Sequence, residues 1–190
     1  EKIIQFKKKE ILILRLLIFF LIIYYFYGFT SQENAAGAGG YSGDLNLIWN
    51  NLELFKGGII KNINNSIYTD SRFPFSYIFH IFFNPFIDSL EEFRLSVLFI
   101  SSFVPILFFL CLKQKYENVN NEILILLSSL ILLSPYFRTS AYWGLNENYS
   151  LIFVCSTYLV FKKLEKRLKI KTSENNYLLL FFICLFSSLC

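Results

Sequence analysis

Methionine is absent from the 190 residues, histidine occurs once, and charged side chains make up only 17% of the chain, against roughly a quarter in an ordinary soluble domain. The cysteines Cys111, Cys155, Cys184 and Cys190 all lie inside apolar runs, in no CxxC spacing and with no histidine beside them. That excludes a zinc site and leaves them as small apolar packing residues. The net charge of +4 comes from lysines and arginines in short clusters beside apolar runs. No continuous basic face results, which excludes nucleic acid as a partner. Ionisable residues are nearly missing from the middle of the long apolar runs, where an ion-coupled transporter needs them. The chain opens at Glu1 and stops at Cys190 within an apolar run, so it is expected to be a piece of a longer protein. No cleavable signal is expected, because the first apolar run is long and lacks a small-residue cleavage site.

What the sequence has in abundance is apolar length. Hydrophobic residues reach 55%, aromatics 19%, and the mean hydropathy is +0.48. A bilayer core of about 30 Å takes about 20 apolar residues per helix. The expected fold is therefore all-α and polytopic, a single incomplete transmembrane domain with about five spans, over 11–29, 93–112, 121–137, 146–162 and 175–190. Lys2, Lys7, Lys8 and Lys9 precede the first span, Lys113 and Lys115 follow the second, and Lys162, Lys163, Lys166, Arg167, Lys169 and Lys171 follow the fourth. Positive loops stay in the cytoplasm. The expected location is thus the inner (plasma) membrane, with the N-terminus cytoplasmic and 30–92 as an outer loop. The Lys162–Arg167 run reads as a topological signal in contact with lipid head groups.

Phe73 to Phe86 is apolar but short, with Pro74 near its start and Pro85 near its end. Were it a span, every later basic cluster would change sides, so it is expected to lie on the outer surface as an interfacial or re-entrant helix. Ser76, His80 and Asn84, at i, i+4 and i+8, form its one polar stripe. A second surface helix is expected before it. Leu45, Ile48, Trp49, Leu52 and Phe55 repeat at helical spacing, with Asp44 as the N-cap and Gly57-Gly58 as the stop.

The outer face then gathers Asp44, Asp70, Arg72 and His80 from the first loop and Arg138, Asn146 and Glu147 from the second. Arginine grips phosphate oxygens in pairs, and a carboxylate takes a proton from an attacking hydroxyl. Together they suit a lipid phosphate and a hydroxyl acceptor at a membrane surface. Each also has a plainer reading: a helix cap for Asp44, a dipole partner for Glu147, head-group contacts for Arg72 and Arg138, a turn for Asp70, a structural role for His80.

In order along the chain, Gly43-Asp44-Leu45 with Trp49 to Gly58, then Arg72-Phe73-Pro74-Phe75-Ser76-Tyr77, then Phe93-Arg94-Leu95-Ser96, then Ser134-Pro135-Tyr136-Phe137-Arg138 through Glu147 resemble the loop motifs of the GT-C membrane glycosyltransferases. The similarity is to the branch holding protein O-mannosyltransferases and bacterial aminoarabinose transferases. Two departures stand out: Leu45 replaces the second acid of the motif, and Pro74 stands where a proline pair is usual. The resemblance implies a polyprenyl-phosphate-linked sugar donor and a glycan, lipid or protein acceptor on the outer face. Asp44 would be the base or acceptor-orienting carboxylate, Arg72 and Arg138, with Lys61 as a lesser candidate, would meet the phosphate charge, and Asp70, His80 and Glu147 would line the substrate site. Some relatives place a divalent metal ion at the phosphate, for which Asp44 and Glu147 are the candidate oxygen ligands. Two rival readings accompany this one: an envelope-polysaccharide polymerase, ligase or flippase outside the GT-C class, and a transporter.

Overall fold

The computed structural model describes residues 8–34, 40–64, 75–169 and 176–188. Of these, 84% are helical, and no strand occurs among them. The helices are α1 (Lys8–Thr30), α2 (Gly40–Lys56), α3 (Ile59–Asn62), α4 (Phe75–Phe83), α5 (Leu90–Ser101), α6 (Phe103–Lys115), α7 (Asn121–Ser129), α8 (Pro135–Tyr142), α9 (Glu147–Lys169) and α10 (Asn176–Ser188), with a 3-10 turn at Leu130–Leu133 after α7.

Two helical stretches have the length and composition to cross a bilayer: α1, and α5 with α6 as one run from Leu90 to Lys115. At 1.5 Å per residue they measure about 35 and 39 Å. Leu12, Leu16, Phe19, Phe20 and Ile23 of α1 all face outward, which lipid accommodates and water does not. The apolar helices mark a membrane protein. A third crossing exists if α7 and α8 are taken together, although they meet at 68°.

The span expected over 121–137 is thus broken near its end, at Ser134. Pro135 has no N–H to continue the helix and drives Ser134 into an extended conformation, ψ 118°. Pro135 then serves as the first residue of α8, and the Ser134 hydroxyl caps it by accepting from the Phe137 amide. The second run also starts earlier than expected, at Leu90, because Ser89 accepts from the Glu92 amide and so caps α5. α9 is as long as α1, but its second half carries the basic cluster, and α10 has 13 residues. Neither passes as a span on the length and composition of its described residues, so two helices, or three with the bent pair, are long and apolar enough to cross, and the five expected are not shown.

α4 is nine residues long, about 13 Å, too short to cross a bilayer. It packs on α2, whose Leu45, Ile48, Leu52 and Phe55 are buried against Tyr77, Phe93, Val97, Leu145 and Tyr149. The expected apolar face of α2 is therefore its buried face, and the helix stops at Gly57-Gly58, with Gly58 at φ 129°. Its start differs. α2 begins at Gly40 and not after Asp44, because Tyr41, one turn before Leu45, also packs against this core. Asp44 accordingly sits in the second turn and caps nothing.

A second core joins α1 to α8 through Tyr25, Leu98, Val104, Leu132, Phe137, Ala141 and Tyr142. The helices touch at Gly28, where an added Cβ would stand 2.5 Å from the Tyr142 hydroxyl oxygen. Tyr142 is fully buried and donates to the Tyr25 carbonyl, so it cannot yield freely. Gly28→Ala is expected to cost about 1–3 kcal/mol through overpacking, read as a lower thermal midpoint in detergent. An unchanged midpoint would show that α1 and α8 lie further apart.

Candidate functional site

The C-terminal end of α1 meets the α7–α8 corner, and there the structure places a buried guanidinium. Arg138 leaves the first turn of α8 with its side chain 5% exposed. Its Nη1 donates to the carbonyls of Leu132 (3.1 Å) and Leu133 (2.6 Å), two groups that the break at Ser134 deprives of helical donors. Its other edge grips Glu33 in bidentate fashion, Nε to Oε2 at 3.0 Å and Nη2 to Oε1 at 2.5 Å. The Tyr24 ring lies 4.5 Å from the guanidinium carbon, and its hydroxyl is 3.3 Å from Nη2.

A second buried arginine stands beside this pair. Arg94, from α5, has a side chain 6% exposed and stacks near Trp143 (4.7 Å) and Phe29 (5.2 Å). Its Nε donates to the Tyr142 carbonyl, and Nη1 reaches both oxygens of Glu91. Its Nη2 is buried with no acceptor. Trp143 Nε1 donates to the Glu33 carbonyl at 2.9 Å. Arg94, Trp143, Glu33 and Arg138 therefore form one continuous set of contacts where the chain leaves α1. The turn after Trp143 belongs to it: Gly144 has φ 67°, and a Cβ there would lie 2.7 Å from the Phe93 ring and 3.4 Å from Leu45. The neighbour of Asp44 in sequence thus abuts the α8–α9 turn.

The residues singled out from the sequence are distributed unevenly around this set. Arg138 is at its centre. Glu147 begins α9, is exposed, and accepts from the Ser140 hydroxyl of α8 at 3.0 Å. Asp44 is exposed on α2 and makes no hydrogen bond to a described residue; no contact joins it to Arg138 or Glu147. Asp70 and Arg72 lie outside the described residues. Among the described residues, no group of three or more His, Cys, Asp or Glu side chains stands where it could hold a metal ion, so Asp44 and Glu147 gain no third ligand of those types there.

His80 departs furthest from its expected place. It does not line an outer surface. It is buried, 1% exposed, between Asn84 Nδ2 (2.8 Å from Nδ1) and the Tyr149 hydroxyl (2.8 Å from Nε2). Asn84 also donates to the Ser96 hydroxyl, which donates to the Phe93 carbonyl. Because Asn84 offers N–H to Nδ1, the ring is neutral with its proton on Nε2. Burial pushes its pKa down to about 4. The polar stripe of α4 is thus a tie to α5 and α9.

An apolar groove of about 420 Å³ lies between α1, α6 and α7. Ile18, Ile22, Phe26, Pro105, Ile106 and Ile125 line it together with Tyr25 and Leu132. Leu132 is the residue whose carbonyl Arg138 holds. The chain matches no protein-family model, no curated protein and no solved structure. The reading of this site accordingly rests on its own chemistry.

Glu33 and Arg94 were not singled out as site residues. Nothing in the polar run after α1 marks Glu33, whose partner lies 105 residues away. Arg94 carried a signal in the sequence, since an arginine one turn into an apolar helix must be buried with partners or face water.

Proposed function

We propose that the protein is a polytopic membrane glycosyltransferase of GT-C type, which moves a sugar from a polyprenyl-phosphate-linked donor to an envelope glycan, lipid or protein acceptor on the outer face of the inner membrane. The observation that carries this reading is an apolar groove lined in part by Leu132, whose carbonyl accepts from Arg138. A lipid phosphate needs an apolar channel for its chain and a cation for its head, and here the groove and the guanidinium share Leu132. In this reading α9 and α10 complete the spans, for five in all, and the N-terminus is cytoplasmic.

The donor phosphate takes the place of the Glu33 carboxylate on the Nε and Nη2 edge of Arg138, since both present two oxygens to the same fork. Charge developing on the leaving phosphate is met by Arg138 and by the unsatisfied Nη2 of Arg94. Asp44, exposed on α2 and next in sequence to the Leu45 that abuts the α8–α9 turn, orients and deprotonates the acceptor hydroxyl. The full-length protein, supplied with a polyprenyl-phosphate sugar, is expected to lose turnover about 100-fold or more in Asp44→Asn, the scale of a general base. Undiminished turnover would remove Asp44 as the base.

Sidedness has its own test. A cysteine placed at Ser66 is expected to react with an impermeant reagent from outside, and one at Ser173 is not; the reverse pattern overturns the arrangement. The pairing of Arg138 with Glu33 favours a second reading, a non-GT-C polysaccharide polymerase, ligase or flippase in which that arginine only braces the fold. Sugar transfer that survives in Asp44→Asn, together with glycan binding, would favour it.

A further inference from the structure

The far end of the helix bundle carries a second site, built where α6 ends beside α9. Two adjoining cavities of about 380 and 490 Å³ open there, and both are lined by Gln114, Leu159 and Lys166. Lys163 and Arg167 complete the first, and Lys113 lines the second. Lys166 pairs with Glu117 at 2.8 Å, an exposed contact on both sides. The cleft therefore has an apolar wall, a rim with an excess of positive charge, and one further feature: the Gln114 amide oxygen is buried and accepts no hydrogen bond. An unmet buried acceptor is costly, and a phosphodiester drawn to the cationic rim does not meet it, because its oxygens only accept.

We propose that this cleft is a binding site for an anionic phospholipid whose head group also donates a hydrogen bond, of the phosphatidylglycerol type. Its phosphodiester lies among Lys113, Lys163, Lys166 and Arg167, a head-group hydroxyl donates to Gln114 Oε1, and the start of an acyl chain rests on Leu159. The proposal rests on α6 and α9 lying in a bilayer, and it is independent of sugar transfer.

The test is native mass spectrometry of the full chain released from micelles holding equal amounts of three lipids with the same acyl chains. Phosphatidylglycerol has charge and donor, phosphatidylmethanol has charge alone, and phosphatidylcholine has neither net charge nor donor. Retention is expected to fall in that order. Each cation contributes about a five-fold factor near a charged surface, so Lys113→Gln with Lys163→Gln is expected to lower phosphatidylglycerol retention about 25-fold. The control Lys8→Gln with Lys9→Gln is expected to leave it within about two-fold, a small fraction of that factor. Gln114→Leu is expected to bring phosphatidylglycerol down to the level of phosphatidylmethanol.

Equal retention of all three lipids by the unaltered protein overturns the proposal, and that arm depends on no variant folding. Equal effects of the two lysine pairs would also overturn it, showing general surface charge. Displacement of the lipid by an equal concentration of glycerol phosphate would identify a soluble anion site instead. None of these outcomes bears on whether sugar is transferred, so failure here and failure of the enzyme reading are separable.

Discussion

Removing the Glu33 carboxylate, as in Glu33→Ala, is expected to destabilise the folded protein by about 2 kcal/mol: Arg138 is buried and left with a stranded charge, while Glu33 itself is 25% exposed, which lowers the cost below that of a fully buried pair. Arg138 is 5% exposed and would keep only the two backbone carbonyls and the Tyr24 ring. The loss is read as a drop in thermal midpoint in detergent. Taking away both charges is expected to recover only part of the loss: Glu33→Ala with Arg138→Met removes the stranded charge but leaves the Leu132 and Leu133 carbonyls without their donor. A single-variant cost below about 0.5 kcal/mol would put this contact with the exposed ion pairs, which contribute little. The pair would then be incidental to the way α1 is fastened to α8.

Acid is expected to weaken the protein through one side chain. His80 is neutral and buried, and burial pulls its pKa from 6.5 to about 4. Above pH 6.5 neither the folded nor the unfolded chain binds a proton there, and the stability is fully present. Between pH 6.5 and 4 the unfolded state binds the proton and the folded state does not, so stability falls as pH falls; below 4 the effect levels off. At about 1.4 kcal/mol per pH unit the total reaches about 3 kcal/mol. The chain contains no other histidine, so the window belongs to this residue. His80→Asn is expected to be less stable at pH 7.5, with Tyr149 and Asn84 left short of a partner, and to lose the slope between pH 6.5 and 5. An unchanged slope in the variant would assign the acid sensitivity to carboxylates.

How far the sequence foretold these features depends on how local each one is. The buried face of α2 follows from Leu45, Ile48, Leu52 and Phe55, and its end from Gly57-Gly58, because both signals act within a turn or two. The corner at Ser134-Pro135 was equally local, yet the apolar run through it masks the break; Pro135 weighs more than the hydropathy around it. Periodicity placed Ser76, His80 and Asn84 on one stripe but does not say what covers that stripe. The cover comes from Ser96 and Tyr149, 12 and 69 residues from their partners. Glu33 and Arg138 illustrate the same limit at greater range. Of the candidate site, Arg138 was legible as a cation beside the Ser134-Pro135 break, while its partner was not. Asp44 was legible as a polar residue at a helix start, but the extra turn contributed by Tyr41 changed its setting.

The two edges of the Arg138 guanidinium answer to different owners. One is committed to the main chain at the corner between α7 and α8, and the other faces a side chain that enters from the end of α1. An incoming oxyanion can therefore replace Glu33 without unseating the bend, so the joint stays rigid while its counter-ion changes. A lysine at this place, with a single ammonium on a flexible stem, would have to abandon either the corner or the anion.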